Sequence, residues 1–437
     1  MRVIVLGAGV IGTTSAYFLN RAGCEVTVVE RQPAPAAETS FANGGQISVS
    51  HAEPWANPSA PLKLLRWLAR EDAPLLFRLR ADMRQWLWGL SFLRECWPER
   101  TRHNIRQIVN LGMFSRAKLQ ELRHMTGLAY DHLERGILHF YTDPREFAAA
   151  LAPARQMNEL GCERRIVSAA EAVAIEPALA HIEPQLAGAT YTAADESGDA
   201  HRFTLELARH CSAAGVRFLF RHDIKALRQA GAGIDHVEAT APDGRYLQLR
   251  ADAYVLAAGS FSPILAAPLG LHLNVYPAKG YSVTMPVADP ALAHQVSLTD
   301  DQYKLVFSRL GDRLRIAGTA ELNGYDRGLN RVRCDAIVRR AQELFPGAGD
   351  ASRAEFWSGL RPATPSNVPY IGRSRIGNLY LNTGHGTLGW THACGSGHAL
   401  ADIVCGSTPE VEFDFVGTAK TGRVSGAPKI NSYPRAA

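Results

Sequence analysis

Residues 2–12 read RVIVLGAGVIG and predict a buried strand that runs directly into a glycine-rich turn. The β-branched run at 2–6 suits a central parallel strand that is covered on both faces. Gly7, Gly9 and Gly12 stand at GxGxxG spacing, and residues 13–23 continue as a helical stretch closed by a glycine. This order of strand, turn and helix lets a pyrophosphate approach the backbone at the helix N-terminus. The start of the chain therefore predicts a dinucleotide-binding unit.

The next predicted strand, residues 25–29, ends in Glu30. A carboxylate at this distance from the glycines binds the ribose hydroxyls of an adenosine and repels a 2′-phosphate. A glycine-rich turn without a ligand is the alternative interpretation of residues 7–12. The strand before the turn, the helix after it and the acid beyond favour the dinucleotide interpretation.

A second glycine-rich turn near the C-terminus distinguishes FAD from NAD, since the first fingerprint serves both. A predicted strand at 379–381 precedes Gly384, Gly386 and Gly389, and a helix is expected from about 391 to 404. A helix N-terminus at this point can stabilise the negative charge that develops on the flavin pyrimidine during reduction. The alternative is a packing loop. Between the two turns, Asp199 is expected to cap a helix that ends near 214, and strands are expected at 216–220 and 252–259.

Length, charge and cysteine content narrow the function classes. A chain of 437 residues favours two domains. The net charge is +5 and the basic residues are mostly scattered along the chain, a distribution that does not indicate nucleic-acid binding. Seven cysteines without CxxC spacing argue against a disulfide framework and a zinc site, so we expect no metal and a reducing cytoplasm. No run approaches the roughly 18 apolar residues of a membrane span.

Six segments carry a resemblance to a known family. They are residues 3–19, ETSFANGGQIS at 38–48, PWANP at 54–58, YPAKGYSVTMP at 276–286, GLRPATPSNVPYIG at 359–372 and NTGHGTLGWTHACGSG at 382–397. The chain resembles the D-amino acid oxidase family of FAD-dependent oxidoreductases, which includes the D-amino acid dehydrogenases and the glycine and sarcosine oxidases. The similarity covers nearly the whole chain, and the last segment is diagnostic of the dehydrogenases.

The resemblance implies non-covalent FAD and oxidative deamination of D-amino acids such as D-alanine. Hydride would pass from Cα to flavin N5, the products would be a 2-oxo acid and ammonia, and electrons would pass to a non-oxygen acceptor such as a respiratory quinone. Two alternatives stay open. One is an oxidase or dehydrogenase of N-methyl or cyclic amino acids, such as sarcosine or hydroxyproline, and the other is a non-catalytic flavin-binding redox partner.

The expected site combines the glycine turns with the residues that the resemblance indicates. Arg361 is the candidate for binding the substrate carboxylate, because a guanidinium holds a carboxylate bidentately. Tyr281 could hydrogen-bond the same carboxylate or lie in the core, and His51 could line the pocket or be a loop histidine. His385 is expected to support the flavin loop. The residues expected to contact FAD are Val3, Gly7, Ala8, Gly9, Val10, Ile11, Gly12, Glu30, Arg31, Ser40, Asn43, Gly44, Gly45, Gln46, Ile47, Ile224, Ala258, Gly259, Gly386, Thr387, Leu388, Gly389, Trp390 and Thr391.

The segment 61–102 is basic and rich in tryptophan. It allows peripheral contact with the cytoplasmic face of an anionic inner membrane. The alternative is a helical insertion that packs its apolar stripe onto the substrate domain.

The predicted fold class is α/β, with a Rossmann-like FAD-binding domain and a substrate domain on a mixed or antiparallel sheet with a helical insertion. The FAD-binding domain is expected at 1–50, 145–275 and 360–415, the substrate domain at 51–144 and 276–359, and an extended tail at 416–437.

Overall fold

The structure is a computed structural model that describes residues 1–67 and 75–417. Most of the expected tail, from residue 418 onward, lies outside the described residues. Val416 and Gly417 close the described part against Gly372 and Arg373, where Arg373 N donates to Val416 O at 2.9 Å.

The chain alternates strands and helices along most of its length. The strands are β1 (Arg2–Leu6), β2 (Glu25–Val29), β3 (Gln46–Ile47), β4 (Leu75–Phe77), β5 (Ile137–Tyr141), β6 (Arg165–Val167), β7 (Gly188–Thr192), β8 (Glu196–Ser197), β9 (Arg217–Leu219), β10 (Asp223–Ala230), β11 (Gly233–Thr240), β12 (Tyr246–Leu249), β13 (Ala253–Leu256), β14 (Tyr276–Pro286), β15 (Ser297–Asp300), β16 (Leu305–Leu310), β17 (Arg313–Leu322), β18 (Glu355–Ala363), β19 (Tyr370–Arg373) and β20 (Leu379–Thr383). The helices are α1 (Val10–Arg21), α2 (Ala60–Trp67), α3 (Met83–Glu95), α4 (Pro98–Thr126), α5 (Pro144–Glu159), α6 (Ala169–Ile175), α7 (Ala200–Ala213), α8 (Ser262–Ala266), α9 (Arg331–Leu344) and α10 (Gly389–Val404).

A six-stranded sheet in the order β19-β20-β13-β1-β2-β9 forms the Rossmann-like half. Its strands run parallel except β19, which pairs antiparallel with β20. Val3 and Val5 of β1 pack beneath α1, α7 and α10, while Ile4 and Leu6 pack into the core on the opposite face. Both faces of β1 are therefore covered, which explains its continuous apolar sequence and confirms the predicted parallel strand.

Local signals in the sequence fix the predicted helices of this half. The Asp199 side chain accepts hydrogen bonds from the backbone N–H groups of His201 and Arg202, so it caps α7 as predicted. The last helix, α10, begins at Gly389, two residues earlier than the sequence indicated. The difference arises because the glycine turn winds directly into the helix through a 3₁₀ turn at Gly386–Leu388.

A nine-stranded mixed sheet forms the second half, in the order β18-β14-β17-β16-β15-β5-β7-β6 with β4 paired to β17. Pairs β15–β5 and β17–β4 are parallel and the others are antiparallel, as expected for a mixed sheet. The sheet topology disagrees with the expected domain boundary at residue 145. Strands β6 and β7 lie in the region 145–275 assigned to the FAD-binding domain, yet β7 pairs with β5 and β6 pairs with β7 at the edge of the nine-stranded sheet.

Residues 68–74 of the segment 61–102 lie outside the described residues, and the described part forms most of α2, then β4, α3 and the start of α4. Trp88 and Phe92 of α3 pack against Tyr276, Ala278 and Ala363 of the nine-stranded sheet. Trp88 Nε1 also donates to Ala363 O at 2.8 Å. A helical insertion that packs on the substrate half is therefore part of the fold, and the outer face of α3 is exposed.

In the described part of the chain, no helix combines the length and apolar character that a membrane crossing needs. The same residues contain no group of three or more histidine, cysteine, aspartate or glutamate side chains placed to hold a metal ion.

Candidate active site

A cavity of about 910 Å³ lies between the two large sheets. The expected site residues that line it are Gly7, Gly9, Val10, Ile11, Glu30, Arg31, Ser40, Asn43, Gly44, Gly45, Gln46, His51, Ile224, Ala258, Gly259, Tyr281, Arg361, Gly386, Thr387, Leu388, Gly389, Trp390 and Thr391. Val3, Ala8, Gly12 and Ile47 do not line it. Val3 and Ile47 are core side chains. Ala8 and Gly12 contact Glu30 and Gly7 respectively and so help to fix the conformation of the turn.

The first glycine turn is held by close backbone contacts. Gly7 has φ +109°, and a Cβ at this position would lie 2.7 Å from the carbonyl oxygen of Ala257. A Cβ on Gly12 would lie 1.9 Å from the carbonyl oxygen of Gly7. Gly9 precedes α1 and supplies no side-chain cap, although Val10 N donates to Ser40 Oγ at 3.0 Å. The N-terminus of α1 thus faces the cavity at the predicted position of a pyrophosphate.

Glu30 is fixed beside this turn at the end of β2. One carboxylate oxygen accepts from Ala8 N at 2.8 Å and the other from Gln32 N at 2.8 Å. Burial raises the pKa of Glu30, and the two backbone hydrogen bonds oppose that rise. The carboxylate is therefore oriented toward the cavity edge where a ribose would lie.

The second glycine turn approaches the same cavity from β20. Gly384 and Gly386 have φ +85° and +55°, and α10 starts without a side-chain cap. Thr391 Oγ1 accepts from Ser48 N at 3.0 Å, which ties α10 to the segment 38–48. The N-termini of α1 and α10, neither of which is capped by the side chain of its own N-cap residue, therefore line one cavity. This arrangement fits a dinucleotide with an anionic pyrophosphate and a flavin ring that gains negative charge on reduction.

The segment Ser40–Ile47 lies flat on the nine-stranded sheet. A Cβ on Gly44 would lie 2.5 Å from Val306 Cγ2, and Gly45 has φ +74° with its N–H donating to Asn43 Oδ1 at 3.0 Å. The amide of Gln46 donates to Ser297 Oγ at 3.1 Å. The Asn-Gly-Gly sequence is thus required for the close approach of this segment to the sheet, whatever the cavity holds.

Arg361 lies on β18 in the cavity wall. Its Nη1 donates to the carbonyl oxygen of Thr319 at 2.8 Å, and within residues 1–67 and 75–417 no carboxylate pairs with it. A Cβ on Gly280 would lie 2.3 Å from Arg361 Cζ, so the guanidinium rests directly on the Gly280 backbone. Burial, with the charge of Arg333 adding to it, lowers the pKa of Arg361 to about 10. The guanidinium stays charged at neutral pH and keeps donors available for an anion.

The Tyr281 hydroxyl is already bound. It donates to Glu321 Oε2 at 2.5 Å, and Lys279 Nζ lies 3.3 Å from the same oxygen. Tyr281 is 1% exposed, and burial together with Glu321 raises its pKa. Its ring lines the cavity while its hydroxyl belongs to a buried ion-pair network, so direct contact with a carboxylate stays a prediction.

Two histidines in the cavity wall are neutral. His51 stacks on His139 with ring centroids 5.3 Å apart, and burial together with His139 lowers the pKa of His51 to about 4. His385 is 1% exposed, and burial lowers its pKa well below the usual value. Neither ring nitrogen of His385 has a hydrogen-bond partner in the described ranges, which sets it apart as an unsatisfied polar group beside the second glycine turn.

A polar cluster on the other side of the cavity was not expected from the sequence. Its members are His139, Tyr141, Arg164, Asp301 and Lys304. They come from strands and loops up to 165 positions apart, counted from 139 to 304, and no local motif joins them. The fold alone brings them together.

Comparisons with known proteins agree with this geometry. The family model described as FAD dependent oxidoreductase (DAO) matches residues 2–403. The chain is 58% identical over 416 residues to D-amino acid dehydrogenase from Dechloromonas aromatica, covering 95% of this chain and 100% of that protein. It is 54% identical over 419 residues to D-amino acid dehydrogenase from Paramagnetospirillum magneticum, covering 95% and 98%. Its fold is similar to glycine oxidase from Bacillus cereus, with a TM-score of 0.70 and 22% identity over 93% of this chain and 97% of that one.

Proposed function

Because the chain belongs to the FAD dependent oxidoreductase (DAO) family and binds FAD, we propose that it oxidises the Cα–N bond of D-amino acids to 2-oxo acids and ammonia. The observation that carries the proposal is the Arg361 guanidinium, which lines the cavity without a carboxylate partner in the described part of the chain. The preference for the D enantiomer rests on the names of the relatives.

The residues in the cavity fit FAD as the resident cofactor. Gly7, Gly9 and the N-terminus of α1 would hold the pyrophosphate, and Glu30 would hold the ribose. Residues 40–46 and the turn at 386–391 would flank the ring system. When bound, FAD supplies the two-electron oxidant that takes a hydride from the substrate Cα.

The protein's own part in the reaction is orientation and charge. Arg361 would hold the substrate carboxylate bidentately, which fixes the direction of Cα within the cavity. Burial lowers the pKa of both His51 and His385, so their neutral rings add no positive charge to the cavity wall. A protein base is not required, because hydride transfer proceeds from the neutral amine.

Anaerobic bleaching of the flavin tests this function. We expect D-alanine to abolish the flavin absorbance of the purified holoenzyme near its visible maximum without oxygen, because bound substrate reduces the cofactor directly. L-alanine should leave the spectrum unchanged, and sarcosine and hydroxyproline test the two alternative amine classes. Bleaching by either of these but not by D-alanine would replace the proposed substrate class, and no bleaching by any amine would favour a non-catalytic flavoprotein.

The electron acceptor is proposed to be a quinone rather than dioxygen, and the outer face of α3 supports contact with a membrane. Apolar side chains at helical spacing are exposed on that face, namely Met83, Trp86, Leu87, Leu90 and Leu93, with Trp97 just beyond. Leu90 is 66% exposed. The exposed Arg80, Arg84 and Arg94 flank them, which suits an anionic lipid surface on the cytoplasmic side.

Co-flotation with vesicles checks the membrane contact. We expect the wild-type protein to float with phosphatidylglycerol vesicles at low salt. Leu87→Asp/Leu90→Asp should float about tenfold less, because the variant loses two exposed leucines that would insert into the lipid surface. The matched control is Leu329→Asp/Val332→Asp, which changes two other exposed apolar side chains. Equal flotation of both double variants would contradict a specific role for α3.

A further inference from the structure

Thr319 of β17 has a strained backbone conformation in the cavity wall. It is half-buried, lines the cavity and has φ +51°, which lies in the left-handed region. Six non-glycine residues within 1–67 and 75–417 have a positive φ, and Thr319 alone among them has a β-branched side chain. Such a side chain crowds the backbone in this conformation, so the strain persists only where the surrounding structure imposes it.

A β-bulge accompanies the strain. The pairing of β14 with β17 changes register between Lys279 and Tyr281. At this point two residues of β17, Thr319 and Ala320, lie opposite Gly280 alone. A bulge of this kind changes the direction in which one residue of a strand points, and bulges are common beside active sites. This bulge lies at the glycine on which the candidate substrate-binding guanidinium rests.

The bulged residue contacts Arg361 directly. The carbonyl oxygen of Thr319 accepts the hydrogen bond from Arg361 Nη1 at 2.8 Å. This bond occupies one of the five N–H donors of the guanidinium, and a carboxylate needs two of the remaining four. Because the guanidinium is a small rigid plane, a carboxylate that binds it lies within a few ångströms of Thr319.

The hydroxyl group of Thr319 is unsatisfied. Its Oγ1 is buried and has no hydrogen-bond partner among the residues that the structure describes. A buried hydroxyl without a partner destabilises a fold, whereas valine would fill a similar volume without that cost. A role in packing alone therefore does not explain threonine at this position, and an unsatisfied buried group beside a cavity indicates a ligand.

We propose that Thr319 is a second carboxylate-binding residue, whose hydroxyl donates a hydrogen bond to the substrate carboxylate that Arg361 holds. This inference rests on the proposed function. A carboxylate has about four lone-pair sites, so it can accept from the guanidinium and from a hydroxyl at once. The staggered χ1 positions of threonine are about 120° apart, so rotation about one bond turns the hydroxyl without moving the backbone.

The proposal gives the strain a function. The bulge places Thr319 against the guanidinium, and the carbonyl oxygen and the hydroxyl of this one residue then fix Arg361 and the carboxylate relative to each other. Preorganisation of this kind favours binding, because fewer groups must be ordered when the substrate arrives.

Two pairs of side chains isolate the hydroxyl. Thr319→Val removes it from a branched side chain, and Thr319→Ala lacks the hydroxyl that Thr319→Ser retains on an unbranched one. Thr192→Val is the matched control. Thr192 Oγ1 is also buried and without a partner in the described ranges, but Thr192 lies on β7 and does not line the cavity.

Three measurements on the FAD-loaded protein separate a binding role from a structural one. The first is the saturation of anaerobic bleaching by D-alanine, which gives KM and the limiting rate. The second is the dissociation constant of propionate by titration calorimetry, because propionate has the carbon skeleton of alanine without the amine. The third is the midpoint of thermal unfolding without added ligand.

We expect Thr319→Val to raise both KM and the dissociation constant of propionate by about tenfold and to leave the limiting rate unchanged, since a hydrogen bond to a charged group is lost on binding. Thr319→Ala should show the same loss relative to Thr319→Ser. The thermal midpoint of Thr319→Val should equal or exceed that of wild type, because no unpaired hydroxyl is buried. Thr192→Val should bind D-alanine and propionate as wild type does.

Unchanged propionate affinity in Thr319→Val and Thr319→Ala would overturn the proposal, as would a wild-type protein that binds no propionate. A higher KM for D-alanine without weaker propionate binding would place the hydroxyl at the amine instead. A lower thermal midpoint with an unchanged KM would show a structural role. If D-alanine does not bleach the wild-type protein, the proposed function fails, while the propionate titrations still decide whether Thr319 belongs to a carboxylate site.

Discussion

Arg361→Ala will raise the KM for D-alanine by at least about hundredfold while FAD stays bound. The substrate carboxylate would then lose its hydration in the cavity without gaining a cationic partner. The guanidinium is anchored on Thr319 O and rests on Gly280, so its position is set before substrate binds. A preorganised partner contributes to binding without a further ordering cost. The saturation of anaerobic bleaching by D-alanine measures this directly.

Arg373→Ala is the matched control, since Arg373 lies on β19, is exposed and does not line the cavity. Arg361→Lys keeps the charge but loses the bidentate fork, so we expect it to recover only part of the lost affinity. Unchanged saturation in Arg361→Ala, with wild-type flavin content, would remove Arg361 from the substrate site.

The sequence indicated Arg361 because a motif surrounds it, but it could not indicate what the guanidinium rests on. Gly280 is 81 positions away in the chain, and only the pairing of β14 with β18 brings it beneath Arg361. Tyr281 shows the converse. The prediction was that its hydroxyl could bind the substrate carboxylate or that the residue lies in the core, and the fold directs the hydroxyl to Glu321. The alternation of apolar and polar residues predicts which face of a sheet a side chain lies on. It does not predict which residue of the neighbouring strand that side chain contacts.

The Rossmann-like half could be predicted in detail because its signals are local. The glycine spacing, the strand before it, Glu30 and the Asp199 cap each lie within a few residues of the element they specify. The sequence did not predict that β6 and β7 belong to the nine-stranded sheet. Both strands are short, and no residue in either indicates which of the two sheets it joins. The pairing of β7 with β5, and of β6 with β7, depends on contacts that form only in the folded chain.

The polar cluster of His139, Tyr141, Arg164, Asp301 and Lys304 has the same origin. His139 pairs with Asp301 because β5 and β15 lie side by side in parallel, 162 positions apart in sequence. Each residue taken alone is an ordinary polar side chain, so composition and spacing carry no signal for the cluster. A chemical site assembled across a sheet is therefore visible only after the strand order is known.

The second large effect is expected from Gly12→Ala, which should yield protein that cannot retain FAD. A Cβ at Gly12 would lie 1.9 Å from Gly7 O and 2.9 Å from Gly7 C, both backbone atoms of the same turn. Backbone cannot rotate away as a side chain can, so either α1 or the turn must shift. We expect a loss of more than about 3 kcal/mol in the free energy of unfolding, together with loss of the yellow colour. Flavin absorbance per protein and thermal denaturation measure the two effects.

Gly89→Ala is the control for this substitution. Gly89 lies inside α3, and a Cβ there would meet no atom within 4 Å, so the change should raise helix stability by about 0.5–1 kcal/mol and leave the flavin content unchanged. The contrast isolates the geometry of the turn from the general effect of a glycine substitution. Wild-type flavin content in Gly12→Ala would show that α1 can move outward and still present its N-terminus to the pyrophosphate. The tight contact of Gly12 with Gly7 would then be a packing detail rather than the requirement that positions the cofactor.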